Sequence, residues 1–382
     1  MGKPLRVLLV EDSPDDVHLI VRALQRGGYE PHYRQVDRAD SLRNALAAEP
    51  WDVVLSDHHM PHFDSMAALD IVKGSGLDTP FLIVSGSIGE EAAVRAMKAG
   101  AQDYLMKGNL ARLCAAIERE LQDAADRRAR QAAEKSLFLQ SENLRIAREV
   151  QQRLFPAASP VLPGFDIAGA SQPAEATGGD YFDYIPMGNG RVAFVVGDVT
   201  GHGLGPALLM ADVRAYLRAV ALSHSDIRDI LTRATHLLGD DFGLERFVSL
   251  IILSLAPETR TLTYVNAGHP DGYVLDAGGA IRVHLRAMLP ALGLAPETGI
   301  PPALHVTLQP GDLVLLMTDG IAEACSPTGE EFGNERALEI VRAAQEHPAS
   351  DMVRGLFDAV LAFTAAAELQ DDITAVVIKV LP

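Results

Sequence analysis

The sequence predicts an α/β segment and an α+β segment joined by a long helix, and three observations lead to this expectation. Short apolar runs alternate with helical patterns over residues 1–122. Residues 123–157 consist mainly of strong helix formers, and the first glycine or proline in this segment is Pro156, near its end. Ten strand-like runs and four helical patterns follow over 158–382. The chain should therefore comprise an N-terminal domain (1–122), a helical linker (123–157) and a C-terminal domain (158–382).

The apolar runs of the first segment are continuous rather than alternating, which is typical of strands covered on both faces. Alternation of such strands with helices predicts a doubly wound parallel sheet, with its chemistry at the carboxyl ends of the strands. The runs are LRVLLV (5–10), WDVVLS (51–56), PFLIVSG (80–86) and DYLMK (103–107).

The linker composition predicts one long helix or a broken pair of helices. Two heptad-like seams are separated by arginines, which leaves two alternatives open: a coiled-coil dimer, or a helix docked on its own domains. The seams are Leu110, Leu113, Ile117 and Ala124, and then Leu137, Leu144 and Leu154.

In the third segment, amphipathic strands separated by hairpin signals are mixed with paired helical patterns. This combination predicts two antiparallel sheets packed face to face, with helices on the outside. The helical patterns cover 204–222, 226–239, 334–346 and 349–366.

Composition excludes several functions. The 382 residues include 51 acidic and 33 basic side chains, a formal charge of −18, which argues against binding to nucleic acid or an anionic membrane. Cys114 and Cys325 form no disulfide framework and no zinc motif, so we expect a cytoplasmic protein. The N-terminus lacks the pattern of a signal peptide, and no run approaches the ~18 apolar residues of a membrane span.

Polar residues follow the apolar runs of the first segment. Glu11 and Asp12 come after the first run, and Asp57 after WDVVLS; Ser85 and Lys107 end the last two. A central carboxylate can accept a phosphoryl group, two further acids can hold Mg²⁺, and a lysine and a hydroxyl can bind the product phosphate. Together these residues predict a phosphoaspartate switch.

This pattern, with Met60-Pro61 behind Asp57 and DYLMK near the end, resembles the receiver domain of bacterial two-component response regulators. The resemblance implies a five-stranded parallel sheet and a sensor histidine kinase as partner. It implies these roles: Asp57 as phosphoacceptor, Glu11, Asp12, Asp57 and the His59 carbonyl as Mg²⁺ ligands, and Ser85, Tyr104 and Lys107 as switch residues.

One departure from the receiver pattern and two alternatives accompany this interpretation. Gly108 stands where the family usually has proline, which puts the family's cis peptide there in doubt. A degenerate receiver that binds partners without phosphorylation, or a turn-capping Asp57, would give the same residues a different role. His58 and His59 are adjacent and usually point apart, which disfavours a zinc site.

A second set of carboxylates lies at the ends of apolar runs in the third segment. An ionised carboxylate leaving a buried strand is costly unless a cation meets it, and oxygen-only ligands favour Mg²⁺ or Mn²⁺. Two such cations can orient and deprotonate a water for in-line attack on a phosphate ester. Strand-end capping is the structural alternative. The residues are Asp180, Asp198, Asp319 and either Asp371 or Asp372.

The motifs around these aspartates resemble the metal-dependent protein phosphatases, in the branch with SpoIIE-type and RsbU-type enzymes. The motifs are AREVQQRLFP (147–156), GGDYFDY, GDVTGHG, NAGHP (266–270), TDGIAEA and QDDITAVVI. The resemblance implies two Mg²⁺ or Mn²⁺ ions bridged by Asp198, with the Val199 carbonyl beside it. Asp180 would hold or position one ion, and Asp319 with Asp371 would complete the other; Asp372 remains an alternative to Asp371.

Other polar residues of this segment have two interpretations each. His202 and His269 are candidate proton carriers or hydrogen-bonded loop histidines. Arg246 is a candidate for contact with a substrate phosphate, or an ordinary solvated arginine.

The sequence therefore predicts a response regulator whose output is a protein serine/threonine phosphatase. The long helix would carry the signal between the two domains, and a homodimer formed through this helix is one way in which it could do so. The resemblance implies a phosphorylated anti-sigma-factor antagonist as substrate. A similar layout occurs in adaptors that bind a sigma factor through a catalytically silent phosphatase-like domain; the intact Asp198 and Asp319 disfavour this alternative.

Overall fold

The computed structural model describes residues 2–61, 63–86, 90–188, 190–239, 246–294, 299–365 and 369–382. The chain divides into two compact units, Met1–Leu139 (unit 1) and Gln140–Pro382 (unit 2). Within the described ranges, every helix is either too short or too polar to cross a lipid bilayer.

Unit 1 is built on a five-stranded parallel sheet with the order β2-β1-β3-β4-β5. Its strands are β1 (Lys3–Val10), β2 (Tyr29–Val36), β3 (Val53–Ser56), β4 (Phe81–Ser85) and β5 (Asp103–Met106). The helices between them are α1 (Pro14–Arg26), α2 (Ala39–Ala48), α3 (Ser65–Gly74) and α4 (Glu90–Ala99). Separate apolar clusters cover the two faces of the sheet, which confirms the doubly wound arrangement.

Strand β2 was not among the apolar runs of the sequence, and its position explains why. It lies at the edge of the sheet and pairs with β1 alone. Only its terminal residues, Tyr29 and Val36, are buried. An edge strand with one paired side and a polar exposed face carries little hydrophobic signal.

One continuous helix, α5 (Leu113–Gln152), follows a short 3₁₀ turn (Leu110–Arg112). It is not a broken pair. Leu113, Ile117 and Ala124 of the first seam are buried within unit 1, so this seam packs against its own domain. Leu137 and Leu144 of the second seam are 66% and 37% exposed.

Unit 2 contains two five-stranded sheets whose pairs are all antiparallel. The first sheet, in the order β13-β10-β9-β8-β7, consists of β7 (Tyr181–Pro186), β8 (Val192–Val199), β9 (Val248–Ala256), β10 (Thr261–Ala267) and β13 (Leu304–Thr307). The second, in the order β12-β11-β14-β15-β6, consists of β6 (Phe165–Gln172), β11 (Gly272–Leu275), β12 (Ile281–Leu285), β14 (Leu313–Met317) and β15 (Ile373–Val380). The helices are α6 (Leu204–Ala221), α7 (Ile227–Leu238), α8 (Asp319–Ala322), α9 (Asn334–Ala343) and α10 (Ala349–Phe363).

The two sheets pack face to face, and helices cover the outer face of each. Strand β8 shows the arrangement: Phe194 and Val196 point into the core between the sheets, while Ala193 and Val195 point towards α6 and α7. Helices α9 and α10 cover the second sheet. The predicted sandwich flanked by helices is confirmed, and its strand ends carry the acidic residues described next.

Candidate functional site

Three carboxylates of unit 1 meet at the carboxyl end of its sheet. Glu11 and Asp12 directly follow β1, and Asp57 directly follows β3. One oxygen of each lies within 4.8 Å of the others, which is a spacing that suits a hard cation such as Mg²⁺. The sequence prediction placed these three residues in one Mg²⁺ site, and the structure brings them together.

Lys107 follows β5 and points its Nζ at this group. Nζ lies 2.8 Å from Glu11 Oε2, 2.8 Å from Asp57 Oδ2 and 2.6 Å from Asp16 Oδ2. Burial alone lowers the pKa of Lys107, but the hydrogen bonds that its ammonium donates to these carboxylates raise the pKa well above its usual value. Asp16 was not predicted. Its only signal in the sequence is its place in the acidic run EDSPDD, one helical turn after Asp12.

The other predicted receiver residues lie on strands β4 and β5 and in the segment after Asp57. Ser85 is the buried last residue of β4, and Tyr104 lies half-buried in β5. His59 is exposed two residues after Asp57. His58 Nδ1 lies 2.8 Å from Ser65 Oγ, a hydrogen bond that accounts for this ring without a metal. No cis peptide bond occurs in the described ranges, so the Lys107–Gly108 bond is trans.

The carboxylates of unit 2 converge at one end of the sandwich. Asp180 precedes β7 and Asp198 is the last but one residue of β8, both in the first sheet. Asp319 follows β14 by two residues, and Asp371 and Asp372 precede β15, in the second sheet. Facing sheets thus supply carboxylates to a common site.

The aspartates of unit 2 repel one another. Burial, followed by the charges of Asp319, Asp371 and Asp372, raises the pKa of Asp198 to about 7. Burial and the charge of Asp198 raise the pKa of Asp180 well above its usual value. In the described residues, no lysine or arginine forms an ion pair with any of the five aspartates. These all-oxygen side chains without a cationic partner suit the divalent ions that the sequence predicted. Within the described ranges, ligand atoms of three residues within 4.8 Å of one another occur in unit 1 only, so the aspartates of unit 2 stand further apart than those of unit 1.

Asp371 and Asp372 occupy different environments. Asp372 is buried, and its carboxylate accepts hydrogen bonds from the backbone N–H of Ala174 at 2.8 Å and of Asp180 at 3.3 Å. Asp371 is exposed, its Oδ1 accepts the backbone N–H of Asp372 at 2.8 Å, and its charge acts on Asp198. The contacts of Asp372 anchor the loop before β7, whereas Asp371 is the more accessible of the two carboxylates.

Asp180 is held in place from the second sheet. The hydroxyl of Thr318 donates to Asp180 Oδ2 at 2.8 Å and accepts from the backbone N–H of Thr374 at 3.0 Å. Thr318 was not predicted as a site residue, although it directly precedes Asp319 in the TDGIAEA motif. It ties a carboxylate of one sheet to the strand ends of the other.

Two glycines let the backbone approach the cluster. A Cβ on Gly179 would lie 2.4 Å from the Val199 carbonyl oxygen, and one on Gly320 would lie 2.0 Å from the Asp372 carbonyl oxygen. Any larger residue would push these segments apart, which explains both glycines of the motifs physically. The Val199 carbonyl thus faces Gly179, the residue before Asp180.

The two candidate histidines differ in environment. His269 is buried, with Nδ1 2.9 Å from Ser249 Oγ, and burial lowers its pKa to about 3. It therefore stays neutral and fits the role of a hydrogen-bonded loop residue. His202 is exposed, and its Nδ1 lies 2.9 Å from Glu175. His202 is thus the better placed of the two to exchange protons with solvent.

Two arginines lie on either end of α6. The Arg246 guanidinium is exposed at the start of α6, where its Nη2 would lie 2.7 Å from a Cβ on Gly205. Arg218, in the last turn, donates two hydrogen bonds to the fully buried Asp183, at 2.6 and 2.5 Å. Tyr181 Oη donates to the same carboxylate at 2.8 Å. Asp183 therefore fastens α6 to β7 and has no part in the carboxylate cluster.

The pKa of Asp198 predicts how the metal-free protein responds to pH. Because the folded-state pKa, about 7, exceeds the unfolded value near 4, the unfolded state releases its proton first as pH rises. The stability of unit 2 in EDTA should therefore fall between about pH 4 and pH 7 and stay low above it. Mn²⁺ should raise the melting temperature more at pH 8 than at pH 5. Far-UV circular dichroism melts measure both effects; a melting temperature in EDTA that rises over this range would contradict them.

The chain is similar to known proteins over both units. The family model for Stage II sporulation protein E (SpoIIE) matches residues 188–381, and the response regulator receiver domain matches residues 7–118. Protein IcfG of Synechocystis is 26% identical over 88% of this chain and 52% of its own length. Phosphoserine phosphatase RsbU of Bacillus subtilis is 23% identical over 62% of this chain and 69% of its own length. The chain thus spans about half the length of IcfG.

Among solved structures, the SiaA-PP2C domain of Pseudomonas aeruginosa superposes with a TM-score of 0.57 and 21% identity. The match covers 65% of this chain and 98% of that domain, and it shows that the fold is shared.

Unit 2 has the fold of a PP2C domain, which it shares with SiaA. Unit 1 is a response regulator receiver domain. The chain belongs to the SpoIIE family, whose model matches half of it.

Proposed function

We propose that this protein hydrolyses phosphoserine or phosphothreonine on a regulatory protein, under the control of phosphorylation at Asp57. The observation that carries the proposal is the convergence of five aspartates from two sheets without a lysine or arginine partner in the described residues. A site that served only to cap strands would not gather mutually repelling carboxylates, because their repulsion costs stability.

In this proposal the site residues of unit 2 have different roles. Asp198, with the Val199 carbonyl, would bridge two Mg²⁺ or Mn²⁺ ions, and Asp319 and Asp371 would complete the site. The ions would supply a nucleophilic water at neutral pH and neutralise charge on the phosphate. Asp180, fixed by Thr318, would orient the site, and exposed His202 would exchange protons with solvent.

The substrate in this proposal is a phosphorylated anti-sigma-factor antagonist or a similar small regulator, so that dephosphorylation switches binding partners. Similarity to a phosphoserine phosphatase, RsbU, supports a phosphoprotein substrate. A sensor histidine kinase would phosphorylate Asp57 of the receiver, with Mg²⁺ held by Glu11, Asp12, Asp57 and the His59 carbonyl. Lys107, already 2.8 Å from Asp57 Oδ2, would pair with the phosphoryl group, while Ser85 and Tyr104 would respond to it.

Turnover of p-nitrophenyl phosphate and of phosphoserine peptides, measured with Mn²⁺ and with EDTA, tests the phosphatase proposal. We expect hydrolysis with Mn²⁺ that EDTA abolishes and added Mn²⁺ restores. No metal-dependent hydrolysis on any of several substrates would instead favour an adaptor that binds a sigma factor or its regulator without catalysis.

A second test addresses control by the receiver. Beryllofluoride mimics the phosphoryl group on an aspartate, so it should change the turnover rate or the oligomeric state. We expect the turnover rate to change by roughly 5- to 150-fold, the range of typical allosteric couplings. Asp57→Ala should abolish the response, and Asp40→Ala, at an exposed position of α2, should preserve it. Identical responses of the wild type and Asp57→Ala would refute a switch at Asp57.

The same experiment tests the homodimer that we propose through α5. Leu137 and Leu144 stand seven residues apart and are exposed, which is the spacing of a heptad seam. Sedimentation of the wild type with and without beryllofluoride would show whether this surface pairs. A monomer under both conditions would contradict the dimer.

A further inference from the structure

The last turn of α5 makes a reciprocal contact with the loop that carries Asp180. Gln151 Nε2 donates to the Gly178 carbonyl at 2.6 Å, and the Gly178 N–H donates to Gln151 Oε1 at 3.1 Å. The side chain of Gln151 is buried, with 7% of its surface exposed. One amide thus satisfies both backbone groups of a single residue, and a buried pair of this kind holds a fixed geometry.

Gly178 lies directly against the carboxylate cluster. A Cβ at this position would approach Asp372 Oδ2 to 2.0 Å, so the Asp372 carboxylate occupies the space beside the glycine. The same oxygen accepts the backbone N–H of Asp180, two residues further on. A displacement of Gly178 would therefore move both Asp180 and Asp372.

The segment 178–180 is held from three directions. Asp372 holds it from the second sheet, and the backbone N–H of Val199 contacts the Gly179 carbonyl at 3.4 Å from the first. Gln151 holds it from α5. A cavity of about 50 Å³ lies between the end of α5 and this loop, lined by Gln151, Gly178, Asp180 and Asp372, so close side-chain packing does not replace the amide contact there.

Apolar contacts fix the end of α5 on unit 2 and leave the polar contact to Gln151. Phe155 stacks on Phe182 of β7 with ring centroids 5.5 Å apart. Leu154 and Phe155 both pack against the buried clusters of unit 2. The backbone of α5 at Gln151 is therefore anchored independently of its side chain.

From this geometry we propose that Gln151 is a positioning residue for the metal site: it holds Gly178 so that Asp180 and Asp372 keep the carboxylate cluster ready for divalent cations. The inference rests on the proposed function of unit 2. It assigns to the AREVQQRLFP motif a role within the site rather than in the helix alone.

Gln151→Met tests the proposal, because methionine keeps the length of the side chain and removes both hydrogen bonds. Gln152→Met is the matched control, since Gln152 is the adjacent, exposed residue of the same helix. Direct Mn²⁺ binding, measured by calorimetry and by the electron paramagnetic resonance of free Mn²⁺, gives a readout that needs no turnover. These measurements are made on the full chain carrying Asp57→Ala in each case, to remove a ligand of the receiver site.

We expect Gln151→Met to weaken Mn²⁺ binding at unit 2 by about 10-fold, the lower end of the loss for residues that support metal ligands. The Mn²⁺ concentration for half-maximal turnover should rise by a similar factor, while turnover at saturating Mn²⁺ changes much less. Gln152→Met should match the parent. Gln151→Asn keeps the amide on a shorter side chain, so its Mn²⁺ affinity should lie between those of the parent and Gln151→Met. It replaces Gln151→Met as the test if that variant does not fold.

Unchanged Mn²⁺ affinity together with a lowered melting temperature would overturn the proposal and leave Gln151 a purely structural residue. Failure of the proposed function looks different: the parent would bind Mn²⁺ at unit 2 and show no hydrolysis. In that case the effect of Gln151→Met on binding still decides the inference.

Discussion

Replacement of Asp198 by asparagine should reduce Mn²⁺-dependent hydrolysis by on the order of 10³-fold or more, because the substitution removes the carboxylate proposed to bridge both ions. The metal-free protein should not lose stability. Asp198 is repelled by Asp319, Asp371 and Asp372, so removal of its charge relieves that repulsion. Turnover assays combined with melts in EDTA and in Mn²⁺ should show lost activity, an unchanged or raised melting temperature in EDTA, and a smaller rise with Mn²⁺.

Asp229→Asn, at an exposed position of α7, is the control for the loss of one negative charge. Asp371→Asn and Asp372→Asn extend the series. We expect Asp371→Asn to weaken Mn²⁺ binding as a ligand would, and Asp372→Asn to disturb the loop before β7. An active Asp198→Asn protein with normal Mn²⁺ dependence would refute the metal site.

Replacement of Arg218 by methionine should destabilise unit 2 by about 2–3 kcal/mol. Asp183 is fully buried, and loss of its bidentate partner leaves a charge without compensation, which costs about 3–5 kcal/mol in fully buried pairs. The lower figure applies because 37% of the Arg218 side chain is exposed and because Arg214 Nε remains 3.8 Å from Asp183. Chemical denaturation followed by far-UV circular dichroism measures the change.

The sole tryptophan of the sequence, Trp51, lies in unit 1, so its fluorescence follows the unfolding of that unit, whereas Arg218 lies in unit 2. The double variant Asp183→Asn with Arg218→Met should lose less stability than the sum of the losses in the two single variants. The reason is that the double variant removes both charges, whereas each single variant leaves one charge without its partner. Additive losses would contradict the proposed clamp.

The carboxylate sites were predictable because both depend on where strands end. Continuous apolar runs predicted the strands. In the parallel sheet the acids directly after them had to meet at one edge. In the antiparallel sandwich, where neighbouring strands end on opposite sides, the residue types and the motif order predicted the shared site. Glu11, Asp12 and Asp57 illustrate the first case, and Asp198 and Asp319 the second. Their residue types, together with the motif order, predicted metal-assisted phosphate chemistry before any coordinates.

Other contacts could not be predicted because they join side chains to backbone groups far away in sequence. The hydrogen bonds of Gln151 to Gly178 and of Thr318 to Asp180 depend on how elements dock, and polar side chains carry no periodic signal for such contacts. The first linker seam was ambiguous for a related reason: Leu113 and Ile117 have the same spacing whether they face a second copy or their own sheet.

The sequence by itself determined the two fold classes, the continuous stretch of helix-forming residues and the two groups of carboxylates, since periodicity and strand ends are local properties of the chain. The tertiary structure alone decided that buried Asp372 accepts the N–H groups of Ala174 and Asp180 while exposed Asp371 accepts that of its neighbour Asp372. It also decided that Asp16 joins Lys107 and that Asp183 is bound to Arg218. Adjacent or similar aspartates are equivalent in a sequence. They differ only once packing has determined which of them meets a donor, which meets a cation, and which is left facing other carboxylates.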